Sequence, residues 1–102
     1  SARARRLAGL YAVTPDLADT ALLVARVEAA LEGGASATQY RNKTADAALR
    51  RAQAAALAPV HAMRGVLFIV NDDVALAAAV DADGVHLGED DGGIAAAVVI
   101  LE

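Results

Sequence analysis

The sequence predicts an α/β fold built of parallel βα repeats, and three observations carry that prediction. Short strand-like runs alternate along the chain with alanine-rich stretches of helical period. Gly, Pro, Asn and Asp sit at the junctions and leave only short connections. The run Val66-Leu-Phe-Ile-Val70 is continuously apolar and rich in β-branched residues, as a strand covered on both faces should be. Alternation of this kind builds a parallel sheet with right-handed crossovers, either doubly wound or half of an eight-stranded barrel. No Gly-x-Gly-x-x-Gly follows the first strand and no phosphate-loop motif occurs, so the nucleotide-binding doubly wound folds lose support.

Each element follows from local chemistry. Leu10 to Thr14 reads as the first strand, ended by Pro15-Asp16. Thr20 to Leu31 forms the first helix, with Leu23, Val27, Ala30 and Leu31 near one face and Gly33-Gly34 as its stop. Ala35 to Tyr40 is the second strand. Thr44 is the expected N-cap of a second helix that runs to Leu57, and Pro59 kinks or ends it. Val60 to Arg64 adds one more turn before Gly65 breaks the chain ahead of the Val66–Val70 strand. A short helix from Asp73 to Val80 and a fourth strand from Asp83 to Leu87 follow. Gly92 to Ile100 is expected to open a fourth helix.

Composition sets the outer bounds. At 102 residues the chain is one domain or part of one. Folding at this size buries roughly 60–65% of the unfolded surface. The hydrophobic fraction is 57% and the mean hydropathy +0.40, with alanine supplying much of the excess. A net charge of −4 and no basic stripe with interleaved aromatics exclude nucleic acid as a partner. No apolar run approaches the ~18 residues of a membrane span. Arg3, Arg5 and Arg6 resemble the start of a targeting peptide, yet a strand pattern follows where a leader's apolar core would be. Without cysteine, disulfides and thiolate metal sites are excluded, and a cytoplasmic protein is expected.

The chemistry-bearing residues fall at strand ends. Asn71-Asp72-Asp73 follows the third strand directly, at the C-terminal end where α/β proteins gather ligands. The trio suits Mg²⁺, or it simply turns the chain and caps the next helix. After the second strand comes Gln39-Tyr40-Arg41-Asn42-Lys43. Strand alternation puts Gln39, Arg41 and Lys43 on one face and Tyr40 and Asn42 on the other. A guanidinium and an ammonium so placed form either a clamp for a polyanion or a pair of solvated loop charges. The fourth strand leads into Gly88-Glu89-Asp90-Asp91, so Asp72 and Asp91 end adjacent strands and their carboxylates are expected to converge on one ion. Two carboxylates, an Arg and a Lys around one mouth describe a diphosphate–Mg²⁺ site. His86 is a ligand, an acid or a hydrogen-bonded structural residue. Tyr11 and Tyr40 read as packing residues, and His61, Glu28 and Glu32 as helix-surface residues.

Four segments carry a resemblance: Gly9-Leu-Tyr-Ala-Val-Thr-Pro-Asp16, Gln39-Tyr-Arg-Asn-Lys43, Val70-Asn-Asp-Asp73 and Ala82-Asp-Gly-Val-His-Leu-Gly88. In order and spacing they resemble thiamine-phosphate synthase, over essentially the whole chain but only the first half of that family's barrel. The resemblance implies a (β/α)₈ TIM-barrel type of fold with the first four βα units present. It implies a transferase of thiamine biosynthesis that joins hydroxymethylpyrimidine diphosphate to thiazole phosphate and releases diphosphate. Diphosphate leaves first in that family, and the thiazole nitrogen traps the pyrimidine cation. Carried over, Gln39, Tyr40, Arg41, Asn42, Lys43 and Asn71 bind the pyrimidine diphosphate. Asp72 and Asp91 hold Mg²⁺, while Arg41 and Lys43 stabilise the leaving group.

Two departures accompany the match. The family's usual Gly-Gln-Glu-Asp is here Gly88-Glu89-Asp90-Asp91, which keeps the metal aspartate and adds charge beside it. The segments that would hold the thiazole phosphate, in strands five to eight, have no counterpart in this sequence. Open parallel edges on the first and fourth strands lead to the expectation of a homo-oligomer. The alternative to a synthase is thus an incomplete half-barrel that self-associates and at most binds Mg²⁺–diphosphate. The related thiazole tautomerase fits less well, because the Gln39-to-Lys43 run and the Asn71-Asp72 pair point to the diphosphate substrate.

Overall fold

Asp-x-x-Leu occurs at the start of each of the three helices among the described residues, and the same physical device operates at all of them. The computed structural model describes residues 11–88 and 97–100. Helix α1 (Thr20–Glu32) is capped by Asp19, α2 (Ala47–Arg64) by Asp46 and α3 (Val74–Ala79) by Asp73. Each aspartate accepts from the amide of the leucine three residues on, at 3.1, 2.8 and 2.9 Å. One otherwise orphaned N–H is satisfied each time. The cap of α2 is therefore Asp46 and not Thr44. Thr44 is held outside the helix because its amide and hydroxyl both donate to Asn42 Oδ1.

The strands β1 (Tyr11–Val13), β2 (Ala37–Tyr40), β3 (Leu67–Asn71), β4 (Gly84–Leu87) and β5 (Ala97–Ile100) form one sheet in the order β1-β2-β3-β4-β5. The first three pairings are parallel. Neighbours are strictly consecutive, without the reversal of order that defines a doubly wound sheet. Strand β5 runs antiparallel to β4, pairing Leu87 with Ala97 and Gly84 with Ile100. The helix expected over Gly92–Ile100 is therefore wrong at Ala97–Ile100, where β-branched and apolar residues complete a ladder. Its first residues lie outside the described range. The outer edge of β4 is consequently occupied rather than open.

One apolar layer sits between sheet and helices. Leu23, Val27 and Leu31 of α1 and Ala54 and Leu57 of α2 pack with Tyr40, Phe68, Val70 and Val85 from one face of the sheet. The opposite face carries Ala37, Gln39, Leu67 and Ile69, all buried. Helix α2 continues through Pro59, with Leu57 and His61 anchoring the turns on either side. The proline costs one backbone bond at an exposed position and does not end the helix. No helix among the described residues is long and apolar enough to cross a membrane.

His61, expected on a helix surface, is fully buried. It completes the stripe Gln53, Leu57, His61, spaced four residues apart on the buried face of α2. Its ring stacks on Phe68 with centroids 4.7 Å apart, and Nδ1 lies 2.8 Å from the Leu57 carbonyl. A carbonyl only accepts, so Nδ1 carries the proton and the neutral ring leaves Nε2 bare. Nε2 has no partner in the structure. Glu28 and Glu32 do lie toward the surface, Glu28 pairing with Arg64 at 3.5 Å.

Two outcomes follow from these elements. Gly65 ends α2 at φ 66°, where a built Cβ meets nothing within 4 Å, whereas Gly33 ends α1 at φ −76°. Gly65→Ala is expected to lower urea-derived stability by about 1 kcal/mol through backbone strain alone, and Gly33→Ala to leave it within a few tenths or raise it. Burial holds the His61 pKa below its ordinary value of 6.5. The unfolded chain then binds this proton more readily than the fold does, so stability is complete above that value and lost as pH falls through the folded one. The thermal midpoint should drop between about pH 7.5 and pH 5.5, with a smaller drop in His61→Phe.

Candidate functional site

In a parallel sheet every C-terminal strand end faces the same way, so the loops after β1, β2 and β3 meet at one rim. Stitching between the first two loops is by backbone and short polar side chains. Thr14 Oγ1 accepts from the Arg41 amide at 2.9 Å and donates to the Arg41 carbonyl at 3.1 Å. Asp16 Oδ1 accepts from the Lys43 amide at 3.0 Å. The backbone bearing both cations is thereby fixed by residues of the β1 loop, while the cationic side chains are left out of the stitching.

Beneath that loop lies a buried polar network. Tyr40 Oη donates to Gln53 Oε1 at 2.7 Å, and Asn42 Nδ2 donates to the same oxygen at 3.0 Å. Gln53 Nε2 and Asn42 Nδ2 both donate to the Leu17 carbonyl, at 2.8 and 3.0 Å. Asn42 Oδ1 accepts from the amides of Thr44 and Ala45 as well as the Thr44 hydroxyl. Three buried polar side chains thus satisfy one another and hold the chain in the turn that leads into α2. Burial pushes the Tyr40 hydroxyl above the usual tyrosine range, and Asn42 and the Arg50 guanidinium pull it partly back.

Above the network opens a cleft of about 220 Å³, with Arg41, Lys43 and Arg50 on the β2–α2 side and Asn71, Asp72 and Asp73 on the β3–α3 side. Among the described residues the Arg41 and Lys43 side chains make no hydrogen bond or ion pair. Asp73 commits Oδ1 to the Leu76 amide as helix cap. Asp72 is exposed and its side chain is uncommitted among the described residues. It sits at φ 53°, a left-handed conformation that aspartate tolerates, and its amide donates to the His86 carbonyl at 2.7 Å. The cleft therefore offers free cations opposite a free carboxylate.

The structure brings together Tyr40, Arg41, Asn42, Lys43, Asn71 and Asp72, while Gln39 lies apart from that cleft. Gln39 projects from the opposite face of β2 and donates through Nε2 to the Tyr11 hydroxyl at 3.1 Å. Burial raises the pKa of that tyrosine, a shift the Gln39 bond partly offsets. Tyr40 and Asn42 both reach Gln53 on α2, so the alternation of the strand runs on past its last paired residue. Asp91 lies outside the described residues, and with it the expected meeting of two carboxylates. His86 is opposite Asn71 in register, and its Nδ1 is buried without a hydrogen-bond partner among the described residues.

Sequence reasoning missed four contributors. Thr14 and Asp16 act through backbone contacts that no spacing reveals. Gln53 and Arg50 sit on a helix whose register against the loop becomes visible only once α2 is placed. Among the described residues no group of three or more His, Cys, Asp or Glu forms a metal cage. An ion held at Asp72 would take other positions from water and ligand oxygens, as Mg²⁺ ordinarily does.

Comparison with known proteins shows which family the chain resembles. The family described as thiamine monophosphate synthase matches residues 10–102. The chain is 61% identical over 92 residues to the thiamine-phosphate synthase of Chromobacterium violaceum, covering 90% of this chain and 44% of that protein. The thiamine-phosphate synthase of Aromatoleum aromaticum is 56% identical over 92 residues, with the same coverage of 90% and 44%. A solved thiamine phosphate pyrophosphorylase from Pyrococcus furiosus superposes with a TM-score of 0.71 at 40% identity, over 86% of this chain and 42% of that one. The chain thus spans less than half the length of these relatives. On the extent of that family match, the chain belongs to the thiamine monophosphate synthase family.

Proposed function

We propose that the cleft binds the diphosphate of hydroxymethylpyrimidine diphosphate for condensation with thiazole phosphate, giving thiamine phosphate and free diphosphate. The observation that carries this reading is the pairing of uncommitted Arg41 and Lys43 with uncommitted Asp72 around one small cleft at the strand tips. Arg41 forks onto phosphoryl oxygens and Lys43 adds a point charge, so both stabilise negative charge that grows as the carbon–oxygen bond breaks. The electron pair of that bond leaves with the diphosphate. The thiazole nitrogen then supplies the pair that forms the new carbon–nitrogen bond. Asn71 orients the pyrimidine end, Asn42 holds the loop from beneath, and Gln39 lies outside this cleft against Tyr11. Asp72 together with Asp91 would hold Mg²⁺, and the exposed, unpaired Asp72 carboxylate suits a hard cation. When bound, Mg²⁺ supplies further neutralisation of the diphosphate.

In this reading the four parallel strands in consecutive order are the first half of a (β/α)₈ barrel. A second reading rests on β1, which lies at the sheet edge and pairs only with β2 among the described residues. In that reading the 102-residue chain is a self-associating module that binds Mg²⁺–diphosphate without turnover.

A coupled assay for diphosphate release, run with both substrates, separates the two. Release above background supports synthesis by this chain, and zero release with measurable Mg²⁺-dependent ligand binding supports the binding module. Light scattering that finds a clean monomer would remove self-association. For the site itself, Asp72→Asn is expected to weaken Mg²⁺-dependent ligand binding by about tenfold or more. An unchanged titration would take Asp72 out of the site.

A further inference from the structure

Arg50 occupies a position that helix stability does not explain. It lies four residues after the Asp46 cap, in the first turns of α2, where the helix end carries partial positive charge. A cation there is disfavoured, and the first turn contains no acidic residue. The side chain is half-buried and forms no ion pair among the described residues. Its one hydrogen bond runs from Nη1 to the Ala45 carbonyl at 2.7 Å. That bond anchors one arm of a planar fork and leaves the other donors unused. Arg50 lines the same cleft as Arg41 and Lys43, and its charge is felt at the Tyr40 hydroxyl.

The balance of charge around the cleft indicates what the third cation is for. Two loop cations opposite Asp72 and Asp73 leave little surplus for an anion, particularly one as highly charged as a diphosphate. Arg50 tips that balance, and it does so from α2, a different element from the loop that carries the other two. A monophosphate spans less distance and carries less charge than a diphosphate, and so makes less use of a third donor. The volume of about 220 Å³ is that of a pocket for phosphoryl groups more than for a whole organic ligand.

We infer that Arg50 is a third anion-binding residue of the cleft, engaging the second phosphoryl group and thereby selecting diphosphates over monophosphates. The inference rests on the reading of the cleft as a diphosphate site. It adds to that reading a specificity determinant drawn from the helix rather than from the strand-tip loops.

Calorimetric titration of the whole chain with inorganic pyrophosphate and with inorganic phosphate, each in excess Mg²⁺, tests it. Arg50→Gln is expected to weaken pyrophosphate binding about tenfold or more and phosphate binding less than about threefold. Arg51→Gln removes the same charge from the neighbouring position, which does not line the cleft, and should change neither by more than about twofold. Arg50→Lys keeps charge and stem but loses the fork, and should fall between the parent and Arg50→Gln. This variant also scores the idea if Arg50→Gln does not fold. Equal behaviour of Arg50→Gln and Arg51→Gln, with Arg41→Gln still weakening pyrophosphate, overturns the role of Arg50 and leaves the cleft standing. Failure of the parent chain to bind pyrophosphate, or indifference to Arg41→Gln, overturns the diphosphate reading and the inference with it.

Discussion

Everything at the rim depends on one constraint: the amide groups of Asn42 and Gln53 are buried, and buried amides must be satisfied. An unpaired group of this kind costs about 1–3 kcal/mol. Asn42 meets the requirement by drawing in the Leu17 carbonyl from one loop, Gln53 from a helix and the amides of Thr44 and Ala45 from its own turn. Very few paths for the β2–α2 connection satisfy all of these at once. The path that does so carries Arg41 and Lys43 past the end of the sheet with their charged ends free. Specific packing beneath the loop thus yields defined positions for charges above it.

This arrangement separates two kinds of residue that a motif presents as one. In the run Gln39 to Lys43, Tyr40 and Asn42 are buried and committed to protein partners, whereas Arg41 and Lys43 are not. Gln39 belongs to a third environment on the other face of the sheet, against Tyr11. The same division holds after β3, where Asp73 caps α3 and Asp72 next to it remains free. The cap thus occupies Asp73 and leaves Asp72 uncommitted, so the two interpretations of Asn71-Asp72-Asp73 do not exclude each other.

Much of the fold was legible because its signals are local. The Leu23, Val27, Leu31 spacing and the Val66–Val70 run specify their elements without reference to anything distant. Other features depend on contacts between elements, and there the sequence misleads. Thr44 looks like a cap until Asn42 claims it. Pro59 looks like a terminus, yet the burial of Leu57 and His61 on either side carries the helix through it. His61 reads as a surface residue by type, although its spacing from Gln53 and Leu57 places it inside. At the site, the charged residues stand out by type and position. Arg50, Gln53, Thr14 and Asp16 do not, because their roles follow from where α2 and the β1 loop come to rest.

The return of β5 against β4 has a consequence for how this sheet meets other polypeptide. The row of backbone donors and acceptors along Gly84–Leu87 is already matched by Ala97–Ile100. Any strand from elsewhere that seeks this place, in the same molecule or another, competes with Ala97–Ile100 for one set of amides. Joining at that border is therefore an exchange and not an addition, and its pace is governed by how often β5 lets go.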